Sequence, residues 1–105
     1  MDASHDRSEI FRAKLNQETA QIAWKELQRF FASGSALMVS MDLDLVEVAF
    51  QMSEDNVAQI RLWAEEGKLN RVTDSQAMAW LETDALVWAV VVSPWVLVQT
   101  AGQLQ

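Results

Sequence analysis

The sequence predicts an α+β domain, a small mixed sheet of three or four short strands covered by helices. Three observations lead there. Half of the 105 residues are apolar, which supplies one core without staples. Several segments repeat apolar residues near the 3.6-residue helical period, whereas Leu86 to Val92 is a continuous Val-rich run of the kind found in a strand covered on both faces. Only three glycines and one proline interrupt the chain, so the elements follow one another closely within a single domain, residues 1–105, with residues 1–7 expected as a flexible N-terminal tail.

In order along the chain, Asp6 followed by Glu9 reads as a helix start. Phe11, Leu15 and Ile22, then Ala20, Ala23, Leu27, Phe30 and Phe31, continue an apolar face up to Gly34, a left-handed stop. One long helix, or two broken between Asn16 and Ala23, fits these letters. Ala36 to Met41 is an apolar run of strand length. Leu43 to Met52 satisfies both periods, and Asp42 and Asp44 tip it toward helix because negative charge stabilises a helix N-terminus. Ser53 to Asn56 opens a further helix bearing Val57, Ile60, Trp63 and Ala64, with Gly67 as its terminator. Leu69 to Val72 suits a short strand. Thr73 and Gln76 match a capping box ahead of Ala77, Trp80 and Leu81. Leu86 to Val92 is the strongest strand signal; Pro94 ends it or bends it, and Trp95 to Gln99 resumes as a second strand.

Charge removes several functions. The net charge is -7, and residues 36–60 carry Asp42, Asp44, Glu47, Glu54 and Asp55 with no base, while residues 85–105 carry no charge at all. An acidic surface repels phosphate backbones, so nucleic acid is not an expected partner; Arg7, Arg12 and Lys14 form only a small patch interleaved with acids. The apolar C-terminal stretch is broken by Ser93 and Pro94 and falls short of a membrane span, and the first residues lack the apolar core of a signal peptide. A cytoplasmic protein with no membrane contact is the expectation. With no cysteine and one histidine, the chain lacks the ligands of the common zinc and iron–sulfur sites and a thiol nucleophile. His5 sits in a polar segment at the chain start, a poor place for a positioned general base.

Two constellations carry chemistry. Asp42, Asp44 and Glu47 offer oxygen ligands for a hard divalent cation, but on a loop no glycine supplies the tight turn of a calcium site, and on a helix the first two diverge, so the set reads as a solvated helix start. No metal and no cofactor are therefore expected. The five tryptophans are unusual for this length. Trp63, Trp80 and Trp88 fall on apolar stripes or runs and suit the core, whereas Trp24 and Trp95 stand at element boundaries where a ring is half exposed. Tryptophan is enriched at interface hot spots, so Trp24, Trp88, Trp95 and Val96 are the expected interface residues.

The combination Glu18-Thr19-Ala20, Trp24, Glu26-Leu27, Leu43-Asp44-Leu45-Val46-Glu47-Val48-Ala49, Trp63, Gly67, Trp80 and the closing string from Leu86 to Gln99 resembles a small bacterial family of uncharacterised proteins catalogued as a domain of unknown function (number 2288). The resemblance spans Phe11 to Gln99 and implies a single cytoplasmic domain; it assigns no residue a role. The expected function is a non-enzymatic interaction or regulatory module, a homodimer or the partner of another protein, that self-associates through its C-terminal strands. The alternative is a small-ligand-binding protein or small enzyme with a Trp-lined pocket and carboxylates such as Glu18, Asp44 or Glu47.

Overall fold

The computed structural model describes residues 3–101, and side chains from position 7 onward. The elements are α1 (Ala3–Glu18), β1 (Ala20–Ala23), a 3₁₀ turn (Trp24–Leu27), α2 (Gln28–Ala32), β2 (Ala36–Val39), α3 (Leu45–Ser53), α4 (Val57–Glu65), β3 (Leu69–Arg71), α5 (Asp74–Glu82), β4 (Leu86–Val92) and β5 (Trp95–Thr100). They form the α+β arrangement expected, with a sheet of five strands in the order β1-β4-β5-β2-β3. Only β2 and β5 run parallel; the other neighbours are antiparallel.

The strand beyond the expected three or four is β1. The helix that begins the chain ends at Glu18, and Ala20 to Ala23 pair with Ala89 to Leu86. Alanine and glutamine have little strand preference of their own, so it is the partner strand that makes this segment extended. The helix also starts earlier than Asp6 and Glu9 suggest. It begins at Ala3, so the segment expected as a tail enters α1, and Met1 and Asp2 lie outside the described residues.

Leu43 to Met52 resolves as helix, and the physical reason is its cap. Asp44 takes an extended backbone and its Oδ1 accepts from the amide N–H of Val46 at 2.9 Å and of Glu47 at 3.4 Å. Asn56 caps α4 through Gln59 N–H, and Thr73 caps α5 through Gln76 N–H. Upstream of Asp44, the loop is latched to the sheet by Gln99, whose Nε2 donates to the carbonyls of Ser40 at 2.9 Å and Leu43 at 2.8 Å.

Helices pack on both faces of the sheet, which accounts for the apolar residues of β4 and β5 at Val87, Ala89, Val90 and Val96 to Val98, while Leu86, Trp88 and Val91 of β4 stay exposed. On one face Val87, Ala89, Val96, Val98 and Ala36 pack against Trp24, Leu27, Ala77 and Trp80 from the 3₁₀ turn and α5. On the other, Val90, Leu97, Val39 and Leu69 pack against Leu15 of α1 and Leu45, Val48, Ala49 and Phe50 of α3. Neighbouring residues of one strand thus serve opposite cores, as the period of two requires. No helix among the described residues is long and apolar enough to cross a membrane.

Candidate functional site

The acidic string does not converge. Asp44 is committed to the α3 cap, and Asp42 is exposed in the preceding loop, where its amide N–H donates to Ser40 Oγ at 3.2 Å. Glu47 faces α1: Arg12 Nε and Nη2 donate to its two carboxylate oxygens at 3.0 and 3.4 Å, and Gln51 Nε2 donates at 2.7 Å. Partial burial pushes this carboxyl up, but the hydrogen bonds from Gln51 and Arg12, with the charge of Arg12, outweigh burial and hold it below its ordinary value. The Arg12 guanidinium also lies 4.0 Å above the Phe50 ring. These groups join helices rather than present a ligand shell, and no metal-holding group of three such side chains occurs among the described residues. Glu18 is exposed at the end of α1. His5 falls within α1, and its side chain lies outside the described residues.

The expected interface residues separate into two pairs. Trp24 and Val96 are both completely buried in this chain's own core and offer no surface to a partner. For Trp24 the reason is β1: the strand delivers residue 24 into the 3₁₀ turn, its amide N–H is fixed on the Ala85 carbonyl at 2.9 Å, and its ring goes between sheet and α5. Val96 belongs to β5, which has strand neighbours on both sides and helices on both faces. Trp88, which its apolar run also suggested for the core, is 39% exposed on β4 beside Leu86 at 51%. Trp80 is buried, and Trp63 and Trp95 are half-buried.

Trp95 lines the feature best suited to hold a small molecule. It is directly opposite Val92 across the β4–β5 turn, which contains a cis Ser93–Pro94 bond, so both side chains lie on the sheet face that carries α3 and α4. Between that turn and the α3–α4 corner a cleft of about 580 Å³ remains, walled by Met52, Val57, Ile60, Val92 and Trp95. Asp55, Arg61 and Ser93 complete it. Ligand sites are concave, mostly apolar and furnished with a few polar groups, and this cleft has that chemistry on a rigid support. A second groove, about 550 Å³, lies between α1 and α3 and mixes Arg7, Lys14 and Glu54 with Ile10, Phe11 and Phe50.

None of Glu18, Asp44 and Glu47 borders the Trp95 cleft; its carboxylate is Asp55, held at φ 57° where α3 stops. Asp55 and Arg61 escaped the sequence reading because nothing in the letters says that the start of α4 meets the β4–β5 turn. The available signal was local. Arg61 is the first base after the five acids at positions 42–55, and Asp55 stands where a helix stop wants glycine.

Residues 10–100 match the model of a family described as proteins of unknown function, DUF2288. The chain is also similar to PA1075 from Pseudomonas aeruginosa, known from a solution NMR structure, at 45% identity and a TM-score of 0.78 over 90% of this chain and 87% of that one. No curated protein matches it. With a match running through every strand and four of its five helices entire, the chain belongs to the DUF2288 family.

Proposed function

We propose that this protein binds a small amphipathic ligand in the cleft between the α3–α4 corner and the β4–β5 turn. The observation that carries this reading is the apolar wall of Met52, Ile60, Val92 and Trp95, with Asp55, Arg61 and Ser93 at the same opening. Indole at millimolar concentration is a suitable first probe, since its flat apolar ring matches the apolar wall of the cleft. Titration followed by two-dimensional amide NMR is expected to shift Ile60, Val92 and Trp95 together, and Ile60→Trp, which intrudes on the apolar wall, is expected to weaken the shifts of Val92 and Trp95. Shifts scattered over the surface, or none, would overturn the reading. Native mass spectrometry of protein purified from its own cells would then show whether a ligand travels with it.

A second reading keeps the protein as an interaction module, favoured by the adjacent exposure of Leu86 and Trp88 on β4. Exposed aromatic and aliphatic side chains side by side suit a partner surface. Contact by strand addition would have to use β1 or β3, since the C-terminal strands are interior to the sheet. Light scattering at micromolar concentration is expected to give twice the 11.9 kDa chain mass, reduced by Trp88→Ala; a monomer throughout discards self-association.

A further inference from the structure

We propose that the ligand of the Trp95 cleft is an α-amino acid with a large apolar side chain, held by its carboxylate at Arg61 and its ammonium at Asp55. The inference rests on the ligand-binding reading above and adds the chemical class. Its basis is that one opening carries two charges of opposite sign together with an apolar wall. Arg61 and Asp55 are both exposed, and neither side chain has an ion pair or hydrogen bond with any described residue. Elsewhere Arg12, Lys25 and Lys68 are each beside a carboxylate. Two opposite charges that border one cleft without meeting leave a gap that a zwitterion fills better than a singly charged molecule.

The spacing agrees with a small head group. Asp55 immediately precedes the Asn56 cap, and Arg61 follows Val57 by one turn of α4, about 6 Å along the helix axis. Both charged residues line the same opening as Val57, Ile60, Val92 and Trp95, so a ligand that bridges the two charges lays its third substituent on that apolar wall. A carboxylate suits the planar guanidinium fork, and an ammonium suits a carboxylate that keeps both oxygens free. An apolar side chain then displaces water from the wall formed by the Trp95 ring and its neighbours.

Four probes separate the parts: phenylalanine, N-acetylphenylalanine without the ammonium, phenylalaninamide without the carboxylate, and indole without either. Amide NMR titration at constant ionic strength is expected to place all four in the cleft, with phenylalanine bound about fivefold to tenfold tighter than either blocked form. The amide arm is stringent, because a protein of net charge -7 attracts a cation non-specifically and weaker binding of the cation runs against that pull. Arg61→Gln is expected to equalise phenylalanine and phenylalaninamide, and Asp55→Asn to equalise phenylalanine and N-acetylphenylalanine. Asparagine tolerates the left-handed backbone at position 55 at least as well as aspartate, so this variant is expected to keep the fold. Equal affinities of all four probes in the cleft would overturn the zwitterion while leaving the cleft as a ligand site. Failure of all four to shift Ile60, Val92 and Trp95 would overturn both.

Discussion

At position 24 two effects of opposite sign meet in one side chain. The Trp24 ring is fully buried, 4.9 Å from the Trp80 ring centroid and 5.8 Å from that of Phe31, yet its indole N–H is buried without a hydrogen-bond partner among the described residues. Removing the ring with Trp24→Ala is expected to cost about 3–5 kcal/mol through lost burial and a cavity. Trp24→Phe leaves most of the ring and removes the orphaned donor, which offsets about 1–3 kcal/mol of the loss. Urea titration is therefore expected to place the phenylalanine variant much nearer the parent than the alanine variant; equal losses would mean that the N–H has a partner worth keeping. Glu47 supplies the residue-scale pH dependence. Its carboxyl is held below the ordinary value of 4.5, so the ionised form is favoured by folding, and its contribution is present above that value and fades as pH falls through the lowered one. Because Glu47 and Arg12 are both partly exposed, solvent screens the pair and the effect is modest. Thermal melts are expected to show Glu47→Gln losing stability relative to parent at pH 7, with the gap closing toward pH 3; a gap that persists at low pH would assign the loss to packing.

Four helices stop in the same way, and only half of those stops were legible. After α2, α3, α4 and α5 the chain turns left-handed at Gly34, Asp55, Gly67 and Asp84. In each case the next amide donates back to the last turn, Ser35 to the Phe30 carbonyl, Asn56 to Gln51, Lys68 to Trp63 and Ala85 to Trp80. The two glycines announce this backbone in the sequence, whereas the two aspartates do not, since a side chain at positive φ is strained. The cap at Thr73 was legible as such, whereas Asn56 was legible only within the opening Ser53 to Asn56, whose first residue ends α3, and Asp44 only as negative charge at a helix start. β1 was not legible, because its four residues become a strand only through their partner β4. The strain at Asp84 is testable. Its pairing with Lys25 is long, 3.7 Å, and exposed, so it opposes little, and Asp84→Gly is expected to stabilise by about 1 kcal/mol. A lowered midpoint in thermal or urea unfolding would show that the ion pair or the entropy of glycine prevails.

Across the whole molecule, the sheet order decides both the site and the order in which parts open. The apolar run from Leu86 to Val98 was legible as strands, and the sheet places those strands inside it, flanked by β1 and β2, with cores on both faces. The cleft was not legible, because it arises where Val92 and Trp95 at one end of that hairpin meet Met52, Val57 and Ile60, and such adjacency is a property of the topology. In the same topology α1 buries only Leu15 among its described side chains, whereas β4 and β5 bury three residues each. This helix packs on α3 and touches the sheet chiefly at β4, with Phe11 and Leu15 in the core it shares with them, and one polar attachment is the bidentate contact of Arg12 with Glu47. From Glu47 the hydrogen bonds continue through Gln51 to the Asn56 cap of α4. Local opening follows the density of buried contacts, so α1 is expected to open well below the free energy of global unfolding, while β4 and β5 open only with the whole domain. Hydrogen exchange read by mass spectrometry is expected to show α1 exchanging ahead of both strands. Arg12→Ala removes the Glu47 contact and the cation above Phe50, and it is expected to speed exchange in α1 while leaving the opening free energy of β5 less affected. If α1 and β5 instead exchange together in parent and variant alike, α1 is part of the same cooperative unit and the polar chain through Arg12, Glu47, Gln51 and Asn56 does not mark a boundary.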